Sequence, residues 1–168
     1  MFSMSSSQEG GIFIVRTCAF IGHRNVNQTV MLKKRLKQII TTIIVKDNVD
    51  TFLFGSKSAF NDLCYTAVSE LKQLYPHVRR VFVRVEWDND NMDYIAAHYE
   101  ETLCPDKVRG AGRKSYILRN EEMIDMCDIL VAYCDMNYTP TTMTKSGTIM
   151  ATEYARKKKK QIINLFDN

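Results

Sequence analysis

The stretch that decides the fold is residues 11–24, which read GIFIVRTCAFIGHR. Before Gly22 the apolar and β-branched residues are nearly continuous, as is typical of a strand that is buried on both faces of a sheet. His23 and Arg24 then follow directly, at the point where such a strand turns towards a helix. These residues predict the first strand of a parallel sheet, ending at Gly22.

The remaining chain repeats the order of strand, tight turn and helix. Apolar residues recur at three- and four-residue spacing after Asn27 and again over residues 60–74, which predicts two amphipathic helices. Further strands are predicted over residues 51–54, 79–86, 128–134 and 161–166, and further helices over residues 116–126 and 146–158. This alternation predicts an α/β fold, a Rossmann-like three-layer sandwich with a mostly parallel sheet and helices on both faces.

The 168 residues allow one domain. Residues 1–11 are polar and lack the basic and apolar regions of a secretion signal, so we interpret them as a flexible N-terminal arm. Residues 12–168 then form a single domain. Within it, residues 87–115 are first acidic and then rich in Pro and Gly, which indicates an insertion with a short helix and a mobile loop over the site.

Composition excludes several classes of protein. Hydrophobic residues make up 45% and charged residues 25%, which is typical of a globular chain. No apolar stretch approaches the ~20 residues that cross a bilayer, so no membrane span is expected. The five cysteines lie far apart without a C-x-x-C pair, which favours buried free thiols in a reducing compartment and a cytoplasmic protein.

The net charge says little about partners. Lys and Arg number 23 against 19 Asp and Glu, but residues 156–160 supply the whole excess. Asp88, Asp90 and Asp93 lack the remaining ligands of a calcium loop, and we interpret them as a solvated acidic turn. The histidines have no partners at metal-ligand spacing. We therefore expect no metal and no cofactor.

Three turns at the ends of predicted strands offer a glycine beside hydroxyl or cationic donors. They contain Gly22, Gly55 and Gly147. Ligands of open parallel sheets bind beyond the carboxyl ends of the strands, where free backbone N–H groups favour anions. The three turns together predict a phosphate site, although each glycine alone could simply close a tight turn. Neither G-x-G-x-x-G nor G-x-x-x-x-G-K-[ST] is present, which argues against a dehydrogenase or a nucleoside triphosphatase.

Four segments carry a resemblance to a known family. They read F-x-G-H-R at residues 20–24, F-G-S-x-S-A-F-N-x-L-C at 54–64, I-L-R-N-E-E-M-I-D-M-C-D-I-L-V-A-Y at 117–133 and S-G-T-x-x-A-T-E-Y-A-R-K-K-K at 146–159. In this order they resemble the YspA/YpsA-like branch of the SLOG superfamily, which is named for the Smf/DprA DNA-processing proteins and the LOG phosphoribohydrolases. The resemblance covers most of residues 12–165.

The resemblance implies a Rossmann-like domain that binds a nucleotide or a nucleotide-derived small molecule, as a signalling sensor or a sequestering module. It also implies a homodimer or larger homo-oligomer, for which Trp87, Tyr94, Tyr99 and Tyr138 are candidate exposed aromatics. The binding residues that it implies are Gly22, His23, Arg24, Gly55, Ser56, Lys57, Ser58, Arg119, Asn120, Ser146, Gly147 and Thr148.

Two alternatives stay open. The first is a LOG-like hydrolase that cleaves the N-glycosidic bond of a nucleoside monophosphate. Here Met150 stands where LOG enzymes place their catalytic glutamate, which leaves Asp135 and Glu153 as weak catalytic candidates. The second is single-stranded DNA binding through residues 156–160. That run has no interleaved aromatics, and cations are favourable at the end of a helix in any case, so nucleic acid is not the expected partner.

Arg119 has two interpretations. A guanidinium on a helix beside the carboxyl edge of the sheet matches the geometry of a phosphate. The alternative is a surface ion pair with Glu122 or Asp125 on the same helix. With the resemblance, the ligand role is favoured.

Overall fold

One six-stranded, all-parallel sheet runs through the protein, in the order β4-β3-β2-β1-β5-β6. The structure, a computed structural model, describes residues 14–55, 57–87, 91–141 and 145–166. Within these residues the strands are β1 Arg16–Gly22, β2 Val49–Phe54, β3 Arg79–Val83, β4 Glu101–Leu103, β5 Ile129–Tyr133 and β6 Gln161–Asn164.

Helices cover both faces of this sheet, which confirms the predicted three-layer α/β fold. One core layer packs α1, α2 and α3 against one face, and a second layer packs α4 and α5 against the other. In the described part of the chain the α-helices are α1 Val30–Lys46, α2 Ala59–Lys72, α3 Met92–His98, α4 Ser115–Met126 and α5 Gly147–Lys157.

The central strand β1 joins the two layers. Cys18 and Phe20 belong to the core cluster on one face, and Ala19 and Ile21 to the cluster on the other. All four side chains are buried, because successive residues of a strand point to opposite faces and both faces of β1 are covered by helices. The continuous apolar run of the sequence therefore reflects burial on two sides.

Side-chain oxygens cap the helices that follow β1, β2 and β5. Thr29 Oγ1 accepts from the Leu32 N–H at 3.0 Å, Ser58 Oγ from the Asn61 N–H at 3.1 Å, and Ser146 Oγ from the Thr148 N–H at 3.2 Å. Each cap satisfies a backbone donor that has no partner inside the helix. These caps determine where α1, α2 and α5 begin.

Two sequence predictions differ from the structure. The first strand begins at Arg16, and Ile14 and Val15 before it are 73% and 59% exposed. The predicted insertion, residues 87–115, holds α3 and then β4, which pairs with β3 at the sheet edge. The segment therefore contains a short helix, as predicted, but its strand β4 extends the sheet, and two 3₁₀ turns, Asp106–Val108 and Gly112–Lys114, follow that strand. The predicted N-terminal arm lies outside the described residues.

An ion pair holds the added edge strand. Glu100 accepts from the backbone N–H of Arg80 at 2.7 Å and from its Nη2 at 2.7 Å. Burial alone would raise the pKa of Glu100, but the hydrogen bonds from Arg80 lower this pKa to about 2. With three residues and one exposed side chain, β4 is too short to show a strand pattern in the sequence.

All five cysteines are buried and free, as the sequence predicted. None of the described helices combines the length and the apolar character that crossing a bilayer requires.

Gly22 lets α2 approach the end of β1. A Cβ at this position would lie 2.3 Å from Cδ1 of Phe60, a fully buried ring in the first turn of α2. We predict that Gly22→Ala lowers the free energy of unfolding by about 3 kcal/mol, because a buried aromatic ring would have to shift. Urea denaturation measures this loss.

Gly147→Ala is the matched control for Gly22→Ala. A Cβ at Gly147 would meet no described atom within 4 Å. Its expected effect on stability is between zero and a gain of about 1 kcal/mol. Equal losses in the two variants would contradict the packing role of Gly22.

Candidate functional site

One cleft of the protein lies where the strand order reverses. Strands β2 to β4 lie on one side of β1, and β5 and β6 lie on the other. The carboxyl ends of β1 and β5 are level, with Gly22 opposite Tyr133 and the His23 N–H donating to the Tyr133 carbonyl at 3.2 Å. A cleft of about 620 Å³ opens at this edge. Such switch points are where open α/β sheets bind ligands.

The structure brings the predicted binding residues together around this cleft. Ser56 lies outside the described residues, and Glu153 does not line the cleft. Asp135, the other candidate carboxylate, does. The predicted residues that line it are Gly22, His23, Arg24, Gly55, Lys57, Ser58, Arg119, Asn120, Ser146, Gly147 and Thr148.

Cations outnumber carboxylates on the described walls of the cleft. Arg24, Lys57, Arg119 and Lys145 line it, against Asp135 as the one carboxylate among the described lining residues. The capped N-termini of α2 and α5 also reach it and add their positive dipole ends. Arg24 is exposed, and its guanidinium forms no ion pair with any described carboxylate. The described walls of the cleft therefore carry more positive than negative side chains.

His23 is held as a neutral imidazole. Its Nε2 accepts the backbone N–H of Asp135 at 2.9 Å, which requires an unprotonated Nε2 and leaves the ring proton on Nδ1. Burial lowers the pKa of His23, while the backbone hydrogen bond and the carboxylate charge of Asp135 act in the opposite direction. The ring also contacts Tyr138, with 4.9 Å between centroids. His23 can therefore offer a hydrogen-bond donor without a charge.

Arg119 is a buried residue that ties α4 to the turn after β2. The side chain is 3% exposed, Nη1 donates to the Gly55 carbonyl, and Nε donates to Asn120 Oδ1 at 3.1 Å. The alternative prediction of a surface ion pair is therefore wrong. Both proposed partners pair elsewhere: Glu122 with Lys107 at 2.8 Å, and Asp125 with Lys158 at 3.3 Å.

The two catalytic candidates differ in position. Asp135 lines the cleft, and its Oδ1 accepts the Asn137 N–H at 2.9 Å. Glu153 lies on the exposed surface of α5 and pairs with Lys145 at 3.1 Å. Of the two carboxylates, Asp135 is thus the one that could reach a ligand in the cleft.

Sequence reasoning missed the aromatic walls of the cleft, although it named Tyr138 as an exposed aromatic for self-association. Tyr116, Tyr133, Tyr138 and Phe166 line the cleft together with Lys145. One signal was available for Tyr116, which stands three residues before Arg119 and so shares its helix face. Tyr99, by contrast, is no exposed aromatic, because its ring packs against Phe54, Tyr65 and Phe82.

The basic run at residues 156–160 is partly engaged within the protein. Lys158 pairs with Asp125, and Lys160 Nζ donates to the Cys127 carbonyl at 2.8 Å. These contacts fit the helix-end interpretation of the run. Among the described residues, no group of three or more His, Cys, Asp and Glu side chains could hold a metal ion.

Comparison with known proteins leaves the family open. The chain matches no protein-family model and no curated protein. The resemblance to the SLOG superfamily therefore stays a prediction that depends on the quoted motifs.

The neutral state of His23 predicts a pH effect on stability. The unfolded chain takes up a proton on His23 near the ordinary pKa of 6.5, whereas the folded protein does so only at lower pH. Between these pKa values the unfolded state binds more protons, so the free energy of unfolding falls as the pH drops below about 6.5. Urea melts from about pH 7.5 to about pH 5 measure the fall.

His23→Gln serves as the comparison for that pH series. Glutamine does not titrate, and His77 and His98 are present in both proteins, so their effects cancel in the difference. The wild type should lose stability relative to the variant over this range. Parallel pH profiles would show that His23 is not held neutral.

The burial of Arg119 predicts a large stability effect. Arg119→Ala would leave a cavity and remove a donor from the Gly55 carbonyl, so we expect a loss of about 2 kcal/mol or more. Arg119→Lys keeps the charge but not the planar fork, so its free energy of unfolding should lie between those of the wild type and Arg119→Ala. A loss in Arg119→Ala below about 0.5 kcal/mol, as for a surface ion pair, would contradict this role.

Proposed function

We propose that the protein binds a nucleotide or nucleotide-derived anion in this cleft, as a sensor or sequestering module. The observation that carries the proposal is the excess of cations on the described walls, with Asp135 as their one carboxylate. The cleft volume of about 620 Å³ lies within the range of small-molecule sites. The resemblance to the SLOG superfamily supports the same ligand class.

The positive groups of the cleft lie where they can act together on one anionic group. Arg24 follows β1, Lys57 follows β2, and Gly147 and Thr148 begin α5, so three turns contribute. A further link joins two of these turns, because the Ala59 N–H donates to the Arg24 carbonyl at 3.0 Å. Convergent cations and helix N-termini favour a phosphate or a similar anion.

Aromatic side chains complement the cationic groups. Tyr116 and Tyr138 are 50% and 49% exposed and line the same cleft. A ligand that combines an anionic group with a planar ring would use both kinds of wall. This combination supports a nucleotide over inorganic phosphate or a simple carboxylate.

Hydrolysis of the N-glycosidic bond stays a second candidate because Asp135 lines the cleft. Its chemistry would place a carboxylate beside an oxocarbenium-like centre. Incubation with adenosine and cytidine monophosphates, followed by chromatography for free base, distinguishes the two functions. Bound but intact nucleotide supports the sensor, whereas released base that disappears in Asp135→Asn supports the hydrolase.

Arg24 provides the test of the binding proposal. Its exposed guanidinium lines the cleft, so Arg24→Ala should leave stability unchanged and weaken nucleotide binding about tenfold. Calorimetry against nucleoside monophosphates, cyclic nucleotides and ADP-ribose measures the affinity. Affinity should also fall as salt is added, because screening weakens exposed charges.

Lys33→Ala is the matched control for Arg24→Ala. It removes one charge from an exposed position on α1 outside the cleft. Affinity should therefore not change. An equal loss of affinity in both variants would show that only the net charge of the protein matters. If none of the compounds binds at millimolar concentration, the proposal is refuted.

Self-association stays a prediction of the resemblance. Trp87, Tyr94 and Tyr138 are exposed aromatics that could contact a second copy. The mass in solution, by light scattering, would decide it.

A further inference from the structure

Tyr116 is held in place at the wall of the cleft. It lies in the first turn of α4, and its hydroxyl accepts a hydrogen bond from Trp87 Nε1 at 3.0 Å. The two rings make an edge contact with 6.0 Å between centroids. Trp87 is the one tryptophan of the chain, so tryptophan emission comes from this position alone.

Arg119 fixes the same ring from within the protein. Its guanidinium carbon lies 5.6 Å from the centroid of Tyr116, a cation–π distance, and the guanidinium is itself anchored on the Gly55 carbonyl. The tyrosine is thus held at its hydroxyl and at its ring, yet half of its surface stays exposed. A ring ordered before binding loses little entropy when a ligand stacks on it.

Tyr138 is the other exposed ring of the cleft and is held less firmly. Its ring contacts His23 at 4.9 Å and a tilt of 46°, and its hydroxyl has no hydrogen bond to any residue that the structure describes. It also lies in the turn after β5, whereas Tyr116 belongs to a helix. Of the two rings, Tyr116 is therefore the better prepared stacking surface.

We infer that Tyr116, oriented by Trp87, is the surface on which a planar ring of the ligand stacks. The ligand class is then a nucleoside monophosphate or related compound whose base is recognised, and not a sugar phosphate. This inference rests on the proposed function, because it assumes that an anion occupies the cationic part of the cleft. The flat faces of all nucleobases suit such a surface, so purines and pyrimidines would both bind.

The test compares two probes on four proteins. Calorimetry measures the affinities of adenosine monophosphate and ribose 5-phosphate for the wild type, Tyr116→Leu, Tyr116→Phe and Tyr138→Leu. The wild type should prefer adenosine monophosphate. Tyr116→Leu should weaken the binding of adenosine monophosphate by about five- to hundredfold and leave the affinity for ribose 5-phosphate unchanged. Tyr116→Phe keeps the ring, so its affinities should stay within about threefold of the wild type.

Trp87 gives an independent readout. Adenosine monophosphate should change its emission in the wild type and not in Tyr116→Leu. Trp87→Phe removes the hydrogen bond to Tyr116. It should weaken the binding of adenosine monophosphate by about two- to fivefold and leave the affinity for ribose 5-phosphate unchanged. Denaturation curves for each variant confirm that it is folded, as expected for changes at half-exposed positions.

Four outcomes would overturn the inference. Equal affinity of the wild type for the two probes would show that no base is recognised, while the anion site would stand. An equal loss for both probes in Tyr116→Leu would mean that Tyr116 acts only through Arg119. A loss in Tyr138→Leu but not in Tyr116→Leu would move the stacking surface to Tyr138. If no nucleotide and no sugar phosphate binds the wild type, the proposed function fails first and this inference with it.

Discussion

The close packing of Phe60 on Gly22 is the constraint on which the cleft depends. The ring fills the space that any side chain at position 22 would need, so α2 begins directly beside the end of β1. This approach brings the Ser58 cap and the Lys57 turn next to His23 and Arg24. The same ring stacks on Tyr133 at 5.7 Å, so the end of β5 is held by the same contact. The glycine therefore serves packing, and the cleft is its consequence.

Arg119 connects packing with electrostatics. It fastens α4 to the Gly55 carbonyl across the sheet edge, and it adds a buried positive charge to a cleft that already holds exposed cations. Like charges that converge in this way destabilise a protein that has no ligand, and they attract anions. Natural proteins accept such local conflicts mainly at functional sites. This excess of cations is the observation on which the proposed binding function depends.

Two uncharged side chains of the cleft, His23 and Tyr116, lie beside its cations. Burial lowers the pKa of His23, whose Nε2 accepts the Asp135 N–H, and Tyr116 is oriented by Trp87. Neither group adds charge, so both can discriminate between anions of similar charge by hydrogen bonding and stacking. Glu153 is paired with Lys145 on the surface, so His23 and Asp135 are the described acid–base candidates that line the cleft. Binding without hydrolysis therefore remains the function that we propose first.

By itself the sequence determined the layers of the fold and the turns at the sheet edge, because alternation and apolar runs record which face of each element is buried. It could not reveal β4, whose three residues pair at an edge without a pattern, or the burial of Arg119. It also left Asp135 and Glu153 equivalent. Only the tertiary structure distinguished these two carboxylates, since the residues that line the cleft come from segments as far apart in the chain as His23 and Asp135. Contacts of this kind depend on the order of strands in the sheet, and local periodicity carries no record of that order.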